Sequence, residues 1–282
     1  MNLMQGKRGL VIGIANDHSI AWGIAKKLAD AGASLALTYQ GEALGKRVKP
    51  LAESVKADLC LPCDVEDIAS VDRLFTEIKN KWGALDFLVH AVAFSGKSEL
   101  KGRYVDTSRE NFARTMLISA FSFTELAKRA GELMGPGGAM LTLTFGGSTR
   151  VMPNYNVMGL AKAALEASVR YLAADFGPHG VRVNAISAGP VRTLAGAGIA
   201  DARVMFNFQK RHSPLRRTVT IEEIGGAALY LLSGLSSGVT GDIHYVDSGY
   251  NIISMPHPDV LTAQEEEEAK EAGAGTSPKA AE

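Results

Sequence analysis

The sequence predicts an α/β fold: one doubly wound parallel sheet of about seven strands with helices on both faces. Three observations predict it. Short β-rich runs alternate with helical patterns along most of the 282 residues. Several runs are almost continuously apolar, as in Leu85-Asp-Phe-Leu-Val and Ala139-Met-Leu-Thr-Leu, which suits strands covered on both sides. A composition of 46% hydrophobic and 21% charged residues supplies a sizeable core.

Taken in order, the strands are expected at 9–14, 34–39, 58–62, 85–91, 139–145, 181–187 and 242–246. Helical patterns fill the intervals at 20–31, 42–56, 66–82, 108–133, 155–177 and 221–234. The stretch 193–217 breaks the alternation. Small residues come first, then a helical pattern with Met205, Phe206 and Phe208. It reads as a lid over a binding site or as a surface excursion, two options that composition does not separate. No repeat or interdomain linker is visible, so residues 1–262 read as one domain. Residues 263–282 are rich in Glu, Ala and Gly and have little to bury, which predicts a disordered or frayed tail.

The formal net charge is zero, so the chain has no electrostatic footprint for nucleic acid or an anionic membrane. Cys60 and Cys63 are the two cysteines. With no second pair to complete four ligands, they read as small apolar residues at a strand end, and no metal is expected. Lys7 and Arg8 precede a short apolar run broken by glycine, which is neither a signal peptide nor a span. A cytoplasmic enzyme is the expectation.

The first strand runs into Gly13-Ile-Ala-Asn-Asp-His-Ser19 and then Ile20. Gly13, Ala15, Ser19 and Gly23 are small where a loop must pass close to a ligand. Ser19 is placed to cap the next helix, where a phosphate would meet the positive helix end. A plain strand–helix turn would look similar, and only its place in a Rossmann-like unit favours a nucleotide. The second strand ends at Gln40, a neutral residue where the adenosine ribose is read, which favours NADH over NADPH. Lys46 and Arg47 keep NADPH open. Asp64 follows the third strand, placed either to accept from adenine or to cap a helix.

Tyr155 and Lys162 stand seven residues apart, about two turns at roughly 3.6 residues per turn, so a helix would put both on one face. A phenol beside an ammonium is a usable proton donor or oxyanion partner, with the tyrosine's pKa expected to fall. A chance surface pair has the same spacing.

In combination these residues resemble a known family. The late glycine turn with Ser19-Ile-Ala, Asp64-Val65, Tyr155-x-x-Met-x-x-x-Lys162 and Gly189-Pro-Val-Arg-Thr193 follow the pattern of divergent short-chain dehydrogenases/reductases. The stretches Pro153 to Lys162, Arg216 to Ile221 and Gly238 to Asp247 are similar, more narrowly, to bacterial enoyl-acyl-carrier-protein reductases of type II fatty acid synthesis. The resemblance spans about Gly6 to Met255. It implies NADH-dependent reduction of an enoyl thioester on acyl carrier protein, by a homotetramer joined through the 108–133 and 155–177 helices. Tyr155 would hydrogen-bond the thioester carbonyl and Lys162 would hold the nicotinamide ribose. Gly13, Ser19 and Ile20 would form the pyrophosphate loop, and Gln40, Asp64 and Val65 the adenosine pocket. Ala91 would face the nicotinamide-side ribose, Val191 would clamp the carboxamide and Thr193 would reach the pyrophosphate. Phe94, Leu100, Met158 and Phe206 would line the acyl slot.

One position departs from the pattern. Phe145 stands where the family carries a second tyrosine, and it cannot donate a proton. Ser148 is a further hydroxyl nearby. Two rival readings stay open: another short-chain dehydrogenase acting on a carbonyl or alcohol, and a nucleotide-binding homologue with weakened catalysis. Against the first, Thr142 occupies the position where such enzymes carry a serine.

Overall fold

The structure, a computed structural model, describes residues 2–193, 202–255 and 258–260. Seven strands form a single sheet: β1 (Arg8–Ile12), β2 (Ser34–Tyr39), β3 (Leu59–Pro62), β4 (Phe87–His90), β5 (Ala139–Thr144), β6 (Arg182–Ala188) and β7 (Ile243–Val246). All neighbours run parallel, in the order β3-β2-β1-β4-β5-β6-β7. The order reverses between β1 and β4. In an open α/β sheet the crevice outside the strand ends at that reversal is where ligands bind.

The helices are α1 (Ile20–Asp30), α2 (Gly41–Ser54), α3 (Ile68–Trp82), α4 (Arg109–Met116), α5 (Ser122–Gly131), α6 (Val157–Phe176), α7 (Ala202–His212) and α8 (Ile221–Leu232). Strand side chains alternate between two cores. Val11, Leu37, Val89 and Leu141 pack with α1, α2 and α8. Leu10, Ala36, Leu88 and Met140 pack with α3, α5 and α6 on the other face. β5 and β6 are buried at every residue, which suits their largely apolar content, and the polar residues they do carry, such as Thr142, Thr144, Arg182 and Asn184, are hydrogen-bonded inside.

Each expected strand is present, with ends shifted by a few residues, as end positions commonly are. Two differences matter for the site. The expected 108–133 helix is interrupted by a π turn at Leu117–Phe121 between α4 and α5. Tyr155 lies in a turn ahead of α6, not inside it. The N-cap is Asn156, at φ 39° and ψ −123°, a backbone that an α-helix does not continue through.

Candidate active site

The first half of the site is built on the β1 end. Gly13 has φ +106°, and a Cβ there would lie 2.1 Å from the Ala91 carbonyl oxygen. Only glycine lets the loop into α1 pass this close to the end of β4. Ser19 holds the rest of that loop. Its hydroxyl accepts from the Ala15 and Asn16 N–H groups, each at 3.0 Å, and donates to Asn16 Oδ1 at 3.2 Å. The side-chain cap expected of Ser19 is therefore not made, because the hydroxyl turns back on the loop. Ile20 opens α1, whose positive end stays available to an anion.

At the β2 and β3 ends, the exposed Gln40 donates from Nε2 to Asp64 Oδ2 at 3.0 Å. Asp64 Oδ1 accepts from the Glu66 N–H at 3.0 Å. Asp64 is not the cap of α3; Asp67 is, accepting from the Ala69 N–H. Gly13, Gln40, Asp64, buried Val65 and Ala91 line one cavity of about 440 Å³. This fits a dinucleotide half, since it joins a glycine-forced loop to a neutral amide and an acceptor carboxylate at the strand ends. Phe94 lines the same cavity, and Glu66 and Arg114 complete its wall. Arg114 makes two 2.8 Å bonds to Glu66 and lies 4.4 Å from the Phe94 ring centre. The Phe94 backbone also bonds Ser119 Oγ, which lies 3.8 Å from Met158 Sδ, so Phe94 stands between this cavity and the Met158 end of the acyl slot expected for it.

The second half lies where β5 meets α6. Leu100, Tyr155 and Met158 form a small buried cluster with Phe145 and Met152 against it. The Phe145 ring meets the Tyr155 ring edge-on, centroids 5.2 Å apart at 70°. Gly147 seats that tyrosine: a Cβ on Gly147 would lie 2.5 Å from Tyr155 Cδ1. Tyr155 also borders a cavity of about 370 Å³ with Gly147, Ser148, Met152 and Gly159. Tyr104, Thr149, Arg150 and Asn156 also line that cavity, so it is the apolar cluster against the Tyr155 phenol that suits an acyl thioester.

The buried Lys162 donates to the Leu143 carbonyl at 2.8 Å. Burial lowers its pKa to about 8, against an upward push from Glu166. Tyr155 moves opposite to the expectation. Burial raises its pKa, and the Glu166 charge raises it further, so the phenol stays protonated and remains a donor. Below this pair His90, 1% exposed, bonds Thr142 Oγ1 at 2.8 Å and Ser122 Oγ at 3.0 Å. Burial first, and the Lys162 charge second, bring His90 down to about 3. Thr142 therefore serves His90 in the interior.

Val191 packs partly buried against the core, and Thr193 is partly buried. Phe206, on α7, lies 5.0 Å from the Arg192 guanidinium and is not part of the Leu100 cluster. Of the expected 193–217 lid, residues 194–201 lie outside the described residues, as does the 263–282 tail. Sequence reasoning missed Glu166, His90, Met152 and the Glu66–Arg114 pair. For Glu166 a signal existed, a carboxylate four residues after Lys162 on the same helix. Among the described residues no cluster is able to hold a metal, and no helix is long and apolar enough to cross a membrane. Cys63 is buried, its thiol pushed up to about 11 by burial, and both cysteines are free.

A cavity at the strand-order reversal and a tyrosine and lysine at the β5–α6 junction define the class: a nicotinamide-nucleotide-dependent oxidoreductase of the short-chain dehydrogenase/reductase kind. Comparison with known proteins narrows it. Residues 13–251 match the family model described as enoyl-(acyl carrier protein) reductase. The NADH-dependent enoyl-acyl-carrier-protein reductase 2 of Rhizobium meliloti (strain 1021) is 73% identical over 259 residues, 92% of this chain and 97% of the relative. The reductase of Rickettsia typhi is 57% identical, over 89% of this chain and 96% of its own. Among solved structures, that from Candidatus Liberibacter asiaticus superposes with a TM-score of 0.89 at 62% identity, covering 91% of this chain and 100% of its own. The reductase of Anaplasma phagocytophilum, solved with NAD, gives 0.88 at 57% identity, over 90% of this chain and 97% of its own. The chain belongs to the enoyl-acyl-carrier-protein reductase family.

Proposed function

We propose that this protein reduces trans-2-enoyl thioesters on acyl carrier protein to acyl thioesters, using NADH, in fatty acid synthesis. The observation that carries the reading is Tyr155, a buried and protonated phenol inside an apolar cluster. When bound, NADH would supply the hydride that adds to the β-carbon, with the α-carbon proton coming from Tyr155 or from water. Tyr155 donates to the thioester oxygen as charge develops there, a contact typically worth roughly 3–4 kcal/mol of barrier. Lys162 holds the ribose hydroxyls beside it. Gly13, Ser19, Ile20, Val191 and Thr193 take the pyrophosphate and carboxamide, and Gln40, Asp64, Val65 and Ala91 the adenosine and ribose. Gln40 bonded to Asp64 offers a 2′-phosphate no cation, which supports NADH over NADPH. Leu100, Met158, Phe145 and Phe206 line the acyl path, with 193–217 as its lid on a single domain of residues 1–262.

A homotetramer is part of the proposal, supported by Leu117 and Phe121 at the π turn and Leu160 and Tyr171 on α6, all exposed apolar side chains. So is a cytoplasmic location. A carbonyl reductase is disfavoured because Thr142 is buried on His90. The test is NADH oxidation with an enoyl-thioester series of rising chain length against a ketone panel. Reduction of ketones alone would sink the reading. In the same assay Phe145→Tyr is expected to change turnover by no more than about threefold, because the edge-on ring contact is retained and the oxyanion donor is Tyr155. A gain beyond tenfold would assign a catalytic part to the missing hydroxyl.

A further inference from the structure

Glu166 is a carboxylate only 7% exposed, in the interior of a helix that the sheet covers. Acidic side chains are rarely buried without a partner or a task. Its one described side-chain partner is neutral: Thr144 Oγ1 donates to Glu166 Oε1 at 2.6 Å. Thr144 is the last residue of β5, and Phe145 follows it. Four residues back on α6 stands Lys162, so the two side chains share one helix face. They make no ion pair. The Lys162 ammonium gives one of its three N–H groups to the Leu143 carbonyl, one residue before Thr144. The helix thus grips the end of β5 at two successive residues, with a cation and then an anion.

We infer that Glu166 is a positioning residue for the reduction: its buried charge keeps Lys162 cationic, and its bond to Thr144 ties α6 to the strand end that carries Phe145. The inference rests on the assignment of Lys162 to the cofactor. The groups facing Lys162 from the packed elements are few. His90 approaches from β4 and is neutral. β5 offers only the Leu143 carbonyl. Tyr155 is protonated. Among the described residues Glu166 is the one anion that acts on Lys162, and it opposes the effect of burial. An interior cation without a compensating charge gives up its proton near neutral pH. A charged donor makes the stronger bonds to ribose hydroxyls.

The test is the dissociation constant of NADH as a function of pH, read from nucleotide fluorescence, for the full chain and four variants. In the native protein binding weakens as pH rises through about 8, where Lys162 loses its proton. Glu166→Gln keeps an acceptor for Thr144 and removes the charge, so the break moves to lower pH. For a displacement of one unit, binding at pH 8 is about fivefold weaker than native, with no difference near pH 6. Thr144→Val removes the bond and keeps the charge, so its break stays in place. Should the glutamine variant fail to fold, Glu166→Asp, which draws the charge back by one methylene, must show a smaller displacement in the same direction. An unmoved break in the folded variant, or an equal displacement in Thr144→Val, overturns the inference. Lys162→Met separates the two levels. A flat pH profile there with an unmoved Glu166→Gln break defeats the inference alone. A native-like break in Lys162→Met defeats the assignment of Lys162 to the cofactor.

Discussion

The two halves of the site handle polar groups in opposite ways. On the adenosine side they are exposed and paired: Gln40 with Asp64, Arg114 with Glu66 and the Phe94 face. At the β5–α6 junction they are buried, and each meets a backbone carbonyl, a hydroxyl or an aromatic edge. Water screens the first set, so losing one member leaves the rest solvated. The second set sits where charge interactions are strong and an orphaned group is costly. Recognition is thus spread over many replaceable contacts, while the chemistry is concentrated in a few that are not.

The largest effect should come from the buried half. Tyr155→Phe keeps the ring and the cluster and removes the donor. Turnover is expected to fall by roughly 10²–10³ with NADH affinity unchanged. A loss below tenfold would mean that another group polarises the carbonyl.

His90 gives the next effect, on stability. Its folded pKa of about 3 lies below the usual 6.5. The unfolded chain therefore binds the extra proton between those values. The neutral ring contributes stability that is fully present above about pH 6.5 and is lost as pH falls toward 3. The loss is on the order of a few kcal/mol. His90→Gln should flatten that limb in melts recorded from pH 7 downward. An unchanged slope would place the acid sensitivity elsewhere.

Ser19 lies between the two halves in character. Ser19→Ala frees two loop N–H groups, and each unmade bond costs about 1 kcal/mol. NADH affinity should drop by up to about thirtyfold, with turnover at saturating cofactor retained. A lowered turnover with intact affinity would contradict that order.

The smallest effect is expected at the exposed pair. Glu66→Gln, Arg114→Met and the double variant should each weaken NADH binding by no more than about threefold, since exposed pairs add little. Strong coupling in that cycle, measured by titration, would erase the contrast between the halves.

This contrast also explains what the sequence could reveal. The strands were legible because burial on both faces leaves runs such as Ala139–Thr144 with little room for polar residues. Tyr155 and Lys162 were legible from spacing, although the turn at Asn156 takes Tyr155 out of the helix. The direction of the Tyr155 pKa shift was not, because it depends on burial and on Glu166. A glutamate in a helix looks like a solvated face until the sheet is seen to cover it. The resemblance assigns Phe94 to the acyl slot, and its neighbours in space are not readable from the sequence. Only packing put it beside Arg114. Ser19 carried the right residue type in the right place with a different bond, since loop curvature is set by contacts distant in the chain.

The π turn at Leu117–Phe121 has a consequence for how this chain tolerates change. Ser119, within the turn, holds the Phe94 N–H and carbonyl, and Ser122, just after it, reaches His90. Phe123, Leu126 and Ala130 then face the sheet. Removing one residue here would restore a regular helix and rotate all of α5 by about 100° relative to α4. Ser122 would leave His90, and the apolar face would leave the core together with it. Sequence length in this stretch is therefore under tighter constraint than sequence identity. Substitutions at the exposed Leu117 and Phe121 leave this count intact, whereas a single-codon deletion breaks the catalytic floor and the hydrophobic core in one step.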